Sequence, residues 1–227
     1  MTPFSRTELL LGKEGMERLS AARIAVFGIG GVGGHAAEAL VRSGIGTIDL
    51  IDNDQVSVTN LNRQLIATHS MIGEDKVEVM RRRLLDINPQ LRVHVQKCFF
   101  LPENASNFDF SVYTYVVDAV DTVTAKIEII SQCVQHDTPV ISCMGTGNKL
   151  YPELLQLADL SKTTMCPLAR IMRKELGLRG IRHIPVVFST EQPLTPDTED
   201  TSHSARRSLP GSTAFVPPAA GMILAGK

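Results

Sequence analysis

Short apolar runs alternate with amphipathic stretches over most of the chain. The runs that predict buried strands lie at 23–27, 47–51, 92–95, 115–118 and 139–143. The stretches between them whose apolar positions recur at helical spacing lie at 33–43, 76–87 and 125–136. Strands that alternate with helices favour a parallel sheet covered by helices on both faces. We therefore predict an α/β fold built on a mostly parallel sheet.

Weaker patterns flank this alternating region. At the N-terminus, residues 4–19 mix apolar and charged positions, which predicts one or two short helices. Beyond residue 145 the predicted elements are strands at 154–157 and 186–189 and a helix at 167–176. Residues 193–210 are rich in Thr, Ser, Asp and Pro, a composition that favours a mobile loop or crossover segment.

The end of the chain, residues 214–227, is small and apolar. Its pattern predicts a helix that begins after Pro217 and Pro218 and stops after about three turns, so the chain looks truncated there. The predicted organisation therefore has three parts. They are an N-terminal helical segment at 1–22, a main domain at 23–145 and a C-terminal extension at 146–227.

The composition is that of an ordinary globular protein, with 43% hydrophobic residues and a net charge of -1. Such a small net charge gives no whole-molecule attraction to nucleic acid, so any RNA contact needs a local basic patch. The four cysteines form no C-x-x-C pair, which argues against a zinc site built from such pairs and against a disulfide framework. No signal-like N-terminus and no apolar run of about 18 residues occurs. We expect a cytoplasmic protein without a membrane span.

A glycine-rich turn follows the first strand directly. Gly28, Gly30 and Gly33 have the G-x-G-x-x-G spacing, and the helix after them offers free N–H groups to a phosphate. Asp52 ends the second strand, where a carboxylate can accept hydrogen bonds from a ribose. This order of elements predicts a Rossmann-like nucleotide-binding domain. The motif does not separate NAD from ATP, since each presents a ribose and a phosphate.

Further charged side chains follow the carboxyl ends of the second and fourth strands. Arg63 and Lys76 supply cations after the second strand, and Asp118 and Asp121 supply carboxylates at the end of the fourth. A triphosphate needs cations and a Mg²⁺ ion held by a carboxylate, and this set offers both. The alternative is that Arg63 and Lys76 are ordinary solvated surface residues.

Six ordered motifs resemble those of the adenylyltransferases related to ubiquitin-activating enzymes, over residues 4–145. They are Gly28-x-Gly-Gly-x-Gly33, Asp52-x-Asp54, Asn60-Leu-Asn-Arg63-Gln64, Gly73-x-x-Lys76, Asn88-Pro89 and Asp118-Ala-Val-Asp121. The nucleotide site implied by the resemblance comprises Gly28, Gly30, Gly31, Gly33, Asp52, Asp54, Asn60, Arg63, Gln64, Lys76, Asp118 and Asp121. ATP and Mg²⁺ are the implied cofactors, and the resemblance also admits a bound monovalent cation.

The resemblance also implies roles for individual residues. Asp52 would hold the ribose, and Asp121 would hold Mg²⁺. The phosphates would be held by Asn60, Arg63 and Lys76. Arg6 stands where these families carry an arginine that reaches the ATP of the partner subunit, so a homodimer with Arg6 acting in trans is implied. Arg6, Arg63, Lys76 and Asp121 are the implied catalytic set.

The second half of the chain resembles one branch of these families, the tRNA threonylcarbamoyladenosine dehydratases. The segments that carry this similarity are Asp159-Leu-Ser-Lys162-Thr, Pro167-Leu-Ala-Arg170, Arg179-Gly-Ile-Arg182 and Val187-Phe-Ser-Thr-Glu191-x-Pro193. The implied reaction is adenylation of the threonyl carboxylate of N6-threonylcarbamoyladenosine in tRNA, followed by cyclisation with release of AMP. A sulfur-relay partner and a covalent role for Cys166 are left open.

Three alternatives remain at this point. An adenylyltransferase that activates the C-terminus of a sulfur-carrier or ubiquitin-like protein would share every ATP residue, although such branches usually carry two C-x-x-C pairs. An NAD-dependent oxidoreductase would use the glycine turn and Asp52. In such an enzyme Arg63, Lys76 and Asp121 would have no functional role. A catalytically inactive regulatory subunit would normally lack phosphate-binding residues that are present here.

Overall fold

The computed structural model describes residues 2–195 and 210–227. Most of the loop predicted at 193–210 therefore lies outside the described residues. The strands are β1 Arg23–Phe27, β2 Thr47–Ile51, β3 Arg92–Gln96, β4 Tyr115–Asp118, β5 Val140–Cys143, β6 Leu155–Asp159 and β7 Pro185–Ser189. The helices are α1 Ser5–Ala21, α2 Gly33–Ser43, α3 Lys76–Ile87, α4 Val123–Gln135, α5 Pro167–Gly177 and α6 Val216–Gly226.

The strands form one seven-stranded sheet in the order β3-β2-β1-β4-β5-β7-β6. Each neighbouring pair is parallel except β6 and β7, which are antiparallel. The predicted mostly parallel sheet is confirmed. The chain leaves β1 towards β2 and β3 on one side, and β4 and β5 lie on the other side. A crevice therefore opens between the carboxyl ends of β1 and β4, which is where open α/β sheets bind ligands.

Alternate residues of β1 enter two separate cores, because successive side chains of a strand point to opposite faces. Ile24 and Val26 belong to a core that the sheet shares with α2, α3 and α6. Ala25 and Phe27 belong to a second core that contains side chains of α4 and α5. Helices therefore cover both faces of the sheet, as the alternating pattern predicts.

Strands from the predicted main domain and from the predicted C-terminal extension join in this one sheet. β7 pairs with β5 through Ser142 and Cys143, and β6 pairs along the full length of β7. The last strand pairs thus link the two sequence regions through backbone hydrogen bonds. The domain boundaries at 22 and 145 stay predictions.

Helix α1 lies at the edge of the first core, against which its partly buried Leu19 packs. It contains no buried residue, and Gly12 interrupts it with a φ of 70° and a ψ of 174°. Leu9 and Leu10 are 84% and 87% exposed. The prediction of one or two short helices is confirmed, since the two halves meet at this glycine.

Helix α6 packs closely against α2. Gly221 of α6 lies against the first residues of α2. A Cβ added to it would be 2.3 Å from the carbonyl oxygen of Val32, the N-cap of α2. Pro217 would lie 3.1 Å from a Cβ at Gly31. The C-terminal helix therefore packs against the glycine-rich turn and the start of α2. In the parts of the chain that the structure describes, no helix is both long and apolar enough to span a membrane.

Candidate active site

A cavity of about 680 Å³ opens at the carboxyl ends of the central strands. This volume lies within the range of small-molecule sites. One wall comes from the segments that follow β1 and β2 and from the start of α3, and it contains the glycine-rich turn, Asp52 and Lys76. The opposite wall comes from the segment after β5 and the start of α5, and it contains Lys149 and Cys166.

The glycine-rich turn requires glycine at two positions for steric reasons. Gly28 has a φ of 88°, and a Cβ there would lie 2.7 Å from the carbonyl oxygen of Ala119. A Cβ at Gly33 would lie 1.8 Å from the carbonyl oxygen of Gly28. Gly28, Gly30 and Gly31 line the cavity, whereas Gly33 lies behind them at the start of α2. The turn therefore presents its backbone to the cavity.

Asp52 fixes the glycine-rich turn to the end of β2. Its Oδ2 accepts a hydrogen bond of 2.6 Å from the backbone N–H of Ile29, and its Oδ1 accepts one of 2.8 Å from that of Asp54. Burial raises the pKa of this carboxyl, and the nearby ammonium of Lys76 opposes that effect. The carboxylate lines the cavity and keeps lone pairs for a ligand. This position fits the predicted ribose contact.

Two cations reach the same wall, and both are held in place. The Nζ of Lys76, at the start of α3, lies 2.7 Å from Oδ2 of Asp54, and the lysine is 4% exposed. Arg63 donates hydrogen bonds of 2.9 Å to the carbonyl oxygen of Thr59 and to Oδ1 of Asn62. Because hydrogen bonds restrain both side chains, little conformational entropy remains to be lost when phosphate binds.

Two amides complete this wall. Oδ1 of Asn60 accepts a 3.0 Å hydrogen bond from the backbone N–H of Ser57, which leaves its NH₂ group for a ligand. Gln64 is buried, and its Oε1 has no hydrogen-bond partner within residues 2–195 and 210–227. A buried acceptor without a partner is costly, and Gln64 is one of the residues that line the cavity.

The two carboxylates at the end of β4 lie in different environments. Asp118 is fully buried behind the cavity wall, where its Oδ2 lies 2.9 Å from Nζ of Lys126 and 2.5 Å from Oγ of Ser142. Asp121 is exposed in the following loop and lines the cavity. A direct nucleotide contact by Asp118 thus has no support in its position. No motif points to Lys126, although a lysine among the apolar positions of a helix is a signal for a buried pair.

Asp121 is the carboxylate that the resemblance assigns to a metal ion, and it lines the cavity. Nowhere in the described residues do three or more His, Cys, Asp or Glu side chains form a cluster that could hold a metal. Mg²⁺ at nucleotide sites is commonly held by one or two carboxylates together with phosphate oxygens and water. Asp121 and a bound triphosphate would satisfy that requirement together.

Arg6 lies apart from this cavity. It is exposed in the first turn of α1 and does not line the wall. Within one subunit, the structure therefore does not bring Arg6 together with Arg63, Lys76 and Asp121.

The opposite wall contains Lys149, to which no motif assigns a role, and Cys166, for which a covalent role stays open. Lys149 is 2% exposed, and Cys166 is 4% exposed at the N-cap of α5. Between β5 and Lys149, Asn148 has a φ of 58° and binds backbone groups on two sides: its carbonyl oxygen accepts from Leu194, and its Oδ1 accepts from Gly211. No sequence spacing predicts that Lys149 lines the cavity, because its position depends on where the chain turns after β5.

A model of the ThiF family matches residues 4–176 of this chain. The chain belongs to the ThiF family. Membership agrees with the ordered motifs around the cavity.

Two relatives are similar over nearly the whole chain. The tRNA threonylcarbamoyladenosine dehydratase of Bacillus subtilis is 43% identical, over 98% of this chain and 91% of the relative. The enzyme of the same name from Escherichia coli is 40% identical, over 87% of this chain and 77% of the relative. Both similarities extend past residue 176, where the match to the family model ends.

The fold is also that of a solved structure. The crystal structure of the E. coli tRNA N6-threonylcarbamoyladenosine dehydratase in complex with AMP superposes with a TM-score of 0.89 and 36% sequence identity. The match covers 99% of this chain and 91% of that chain. A second structure of that enzyme, in complex with ATP, has the same TM-score.

Proposed function

We propose that this protein is an ATP-dependent tRNA threonylcarbamoyladenosine dehydratase. It adenylates the threonyl carboxylate of N6-threonylcarbamoyladenosine in tRNA and then cyclises the product with release of AMP. The observation that carries the proposal is a cavity of about 680 Å³ that the predicted nucleotide-binding residues line together with Lys149 and Cys166 of the second wall. The similarity to dehydratases extends along both walls.

The chemistry proceeds in two steps that share this cavity. An oxygen of the threonyl carboxylate attacks the α-phosphorus of ATP, and pyrophosphate leaves with the bonding electrons. The neighbouring carbamoyl group then attacks the acyl carbon, AMP leaves with the former carboxylate oxygen, and one proton is released. The nucleophile of the second step belongs to the substrate, so orientation by the walls supplies much of the rate.

The residues of the first wall have separate tasks in this scheme. The backbone of the glycine-rich turn faces the phosphates, and Asp52 accepts hydrogen bonds from the ribose. Arg63 and Lys76 stabilise the charge that builds up as pyrophosphate leaves. Asp121 would hold Mg²⁺, which when bound neutralises phosphate oxygens. These roles are proposals that the positions of the side chains support.

The tRNA would contact a basic surface next to the second wall. Helix α5 begins on the cavity wall, and the exposed cations on and after it are Arg170, Lys174, Arg179 and Arg182. Arg173, by contrast, donates a 2.9 Å hydrogen bond to the carbonyl oxygen of Thr163, so it is committed within the protein. Exposed arginines and lysines are the side chains that bind phosphates of RNA. A local patch suits a chain whose net charge is only -1.

A homodimer in which Arg6 reaches the partner's site is part of the proposal. Its support is that α1 is unburied, exposes Leu9 and Leu10, and holds Arg6 away from the cavity of its own subunit. All four cysteines are free, which suits the reducing cytoplasm. The monovalent cation and the sulfur-relay partner rest on the resemblance alone and stay predictions.

Release of AMP that depends on the modified nucleoside tests the proposed reaction. Purified protein, ATP and Mg²⁺ are incubated with tRNA that carries threonylcarbamoyladenosine or with unmodified tRNA, and digested nucleosides are weighed by mass spectrometry. We expect AMP release only with the modified tRNA, together with loss of one water from the nucleoside. ATP turnover without any change in the nucleoside would reject the proposal and direct the search to carrier proteins.

A further inference from the structure

Three lysines are almost completely buried in the described parts of the chain, and two of them are paired with carboxylates. Lys126 lies 2.9 Å from Asp118, and Lys76 lies 2.7 Å from Asp54. Lys149 is 2% exposed but has no carboxylate oxygen within 4.0 Å of its Nζ in residues 2–195 and 210–227. A buried charge is costly unless it is paired and hydrogen-bonded. Lys149 is therefore the exception that needs an explanation.

The nearest acidic residue does not fill that role. The Nζ of Lys149 donates a 2.6 Å hydrogen bond to the backbone carbonyl oxygen of Glu191. The carboxylate of Glu191 is turned away, since it accepts hydrogen bonds from the backbone N–H groups of Leu150 and Tyr151 at 2.9 and 3.0 Å. An ammonium group has three donors, so two remain after the carbonyl is satisfied. The fold anchors Lys149 by a neutral acceptor and leaves its charge for another partner.

Lys149 lines the cavity from the second wall, after β5, whereas the predicted phosphate-binding cations Arg63 and Lys76 line it from the segment between β2 and α3 and from the start of α3. β5 is the neighbour of β4, whose following loop carries Asp121. Burial lowers the pKa of Lys149, and the neighbouring Cys166 and Glu191 oppose that effect. An anionic ligand in the cavity would oppose it further. A monoanion that binds beside the nucleotide matches this position.

We propose that the ammonium group of Lys149 binds the carboxylate that the enzyme adenylates. This inference rests on the proposed function, because it takes the substrate to be an acid. Lys149 would hold one carboxylate oxygen while the other attacks the α-phosphorus of ATP and pyrophosphate leaves. The acid loses its charge when it becomes the mixed anhydride, so the contact is strong for the substrate and weak for the neutral acyl group. Lys149 thus selects an acid over its uncharged analogues.

The test compares the binding of an acid with that of its neutral isostere. The ligands are two anticodon stem-loop RNAs, one with threonylcarbamoyladenosine and one in which the threonyl carboxylate is replaced by a carboxamide. Dissociation constants are measured without ATP for the wild type, Lys149→Met, Lys149→Gln and the exposed-lysine control Lys162→Met. Lys149→Gln keeps a donor for the carbonyl of Glu191, and melting temperatures report whether each variant folds.

We expect the wild type and Lys162→Met to prefer the acid by about 10- to 100-fold, the usual range for a hydrogen bond to a charged group. Folded Lys149 variants should bind both RNAs with the affinity that the wild type has for the amide, and their affinity for ATP should be unchanged. A preference retained in a folded Lys149 variant overturns the proposal. Equal affinity of the wild type for the two RNAs also overturns the proposal, and this outcome does not depend on any variant. Absence of AMP release by the wild type would instead reject the proposed function.

Discussion

The Nζ of Lys126 lies 2.9 Å from Oδ2 of Asp118, and neither side chain is accessible to solvent. Both side chains also bind the backbone of Val120, in the loop that follows β4. Lys126 donates a hydrogen bond to the carbonyl oxygen of Val120 at 3.0 Å, and Asp118 accepts one from the N–H of Val120 at 3.2 Å. Asp121 comes next in that loop. The buried pair therefore holds the backbone that presents the proposed magnesium ligand.

Removal of one partner of this pair should destabilise the fold strongly. Lys126→Met leaves the Asp118 carboxylate buried without its cation, and such a change costs about 3–5 kcal/mol. Urea unfolding followed by circular dichroism measures it. The double variant Lys126→Met with Asp118→Asn should recover part of that loss, because no uncompensated charge remains. A double variant less stable than Lys126→Met alone would contradict this account.

Asp121→Asn should lower the rate of adenylation strongly while the fold persists. The side chain is exposed, and its hydrogen bond to Thr122 is long at 3.4 Å, so little stability is lost. Without the carboxylate, Mg²⁺ is poorly placed, and we expect exchange of pyrophosphate into ATP to fall by about 100-fold or more. Glu103→Gln, an exposed surface change, is the control. Wild-type exchange by Asp121→Asn would remove this residue from the catalytic set.

A mixture of Arg6→Ala and Lys76→Ala subunits tests the action of Arg6 in trans. Each homodimer should be nearly inactive. A mixed dimer contains one site with Lys76 intact that receives Arg6 from the other subunit. Statistical mixing should thus restore roughly a quarter of the wild-type rate per site. Verified mixed dimers that show no recovery in AMP release would argue against this arrangement.

Nucleotide affinity should depend on the protonation of Asp52. Burial raises the pKa of this carboxyl, so protonation begins at a higher pH than for an ordinary aspartate. Protonation removes an acceptor for the ribose, and the affinity for AMP should therefore fall as the pH is lowered through that raised value. Asp52→Asn should bind AMP more weakly, and the difference from the wild type should shrink at low pH. Titration calorimetry across a pH series measures this difference. A constant difference at every pH would mean that Asp52 does not bind as a carboxylate.

Gly221→Ala should loosen the contact between α6 and α2. The new Cβ would lie 2.3 Å from the carbonyl oxygen of Val32, so the helices must separate, and overpacking of this kind costs about 1–3 kcal/mol. Gly226→Ala is a matched control in the same helix, since a Cβ there meets nothing within 4 Å. Thermal unfolding should show a lower Tm for Gly221→Ala alone. Equal Tm values for the two variants would mean that α6 can shift without cost.

Much of the fold follows from local pattern. The alternation of apolar runs and amphipathic stretches predicts β1 to β5 with the helices between them, because burial on both faces and helical spacing are properties of short segments. The glycine-rich turn is equally local: Gly28 and Gly33 are required by contacts with nearby backbone atoms. The nucleotide wall could therefore be predicted from spacing and resemblance.

Other features depend on contacts between distant parts of the chain. The antiparallel pairing of β6 with β7 and the insertion of β7 beside β5 depend on register across the whole sheet. Asp118 was expected at the nucleotide, yet its partners are Lys126 and Ser142, which only the packed core brings to it.

The sequence by itself determined the α/β class, the position of the phosphate-binding turn and the family of the chemistry, since each is carried by residues close together in the chain. The tertiary structure alone decided which charges are buried and which remain available to a ligand. The sequence does not distinguish Lys76, Lys126 and Lys149. In the described residues of the folded chain, Lys76 and Lys126 each pair with a carboxylate, whereas the ammonium group of Lys149 binds a backbone carbonyl oxygen. Because the cost of a buried charge depends on its three-dimensional surroundings, no local pattern could distinguish the three.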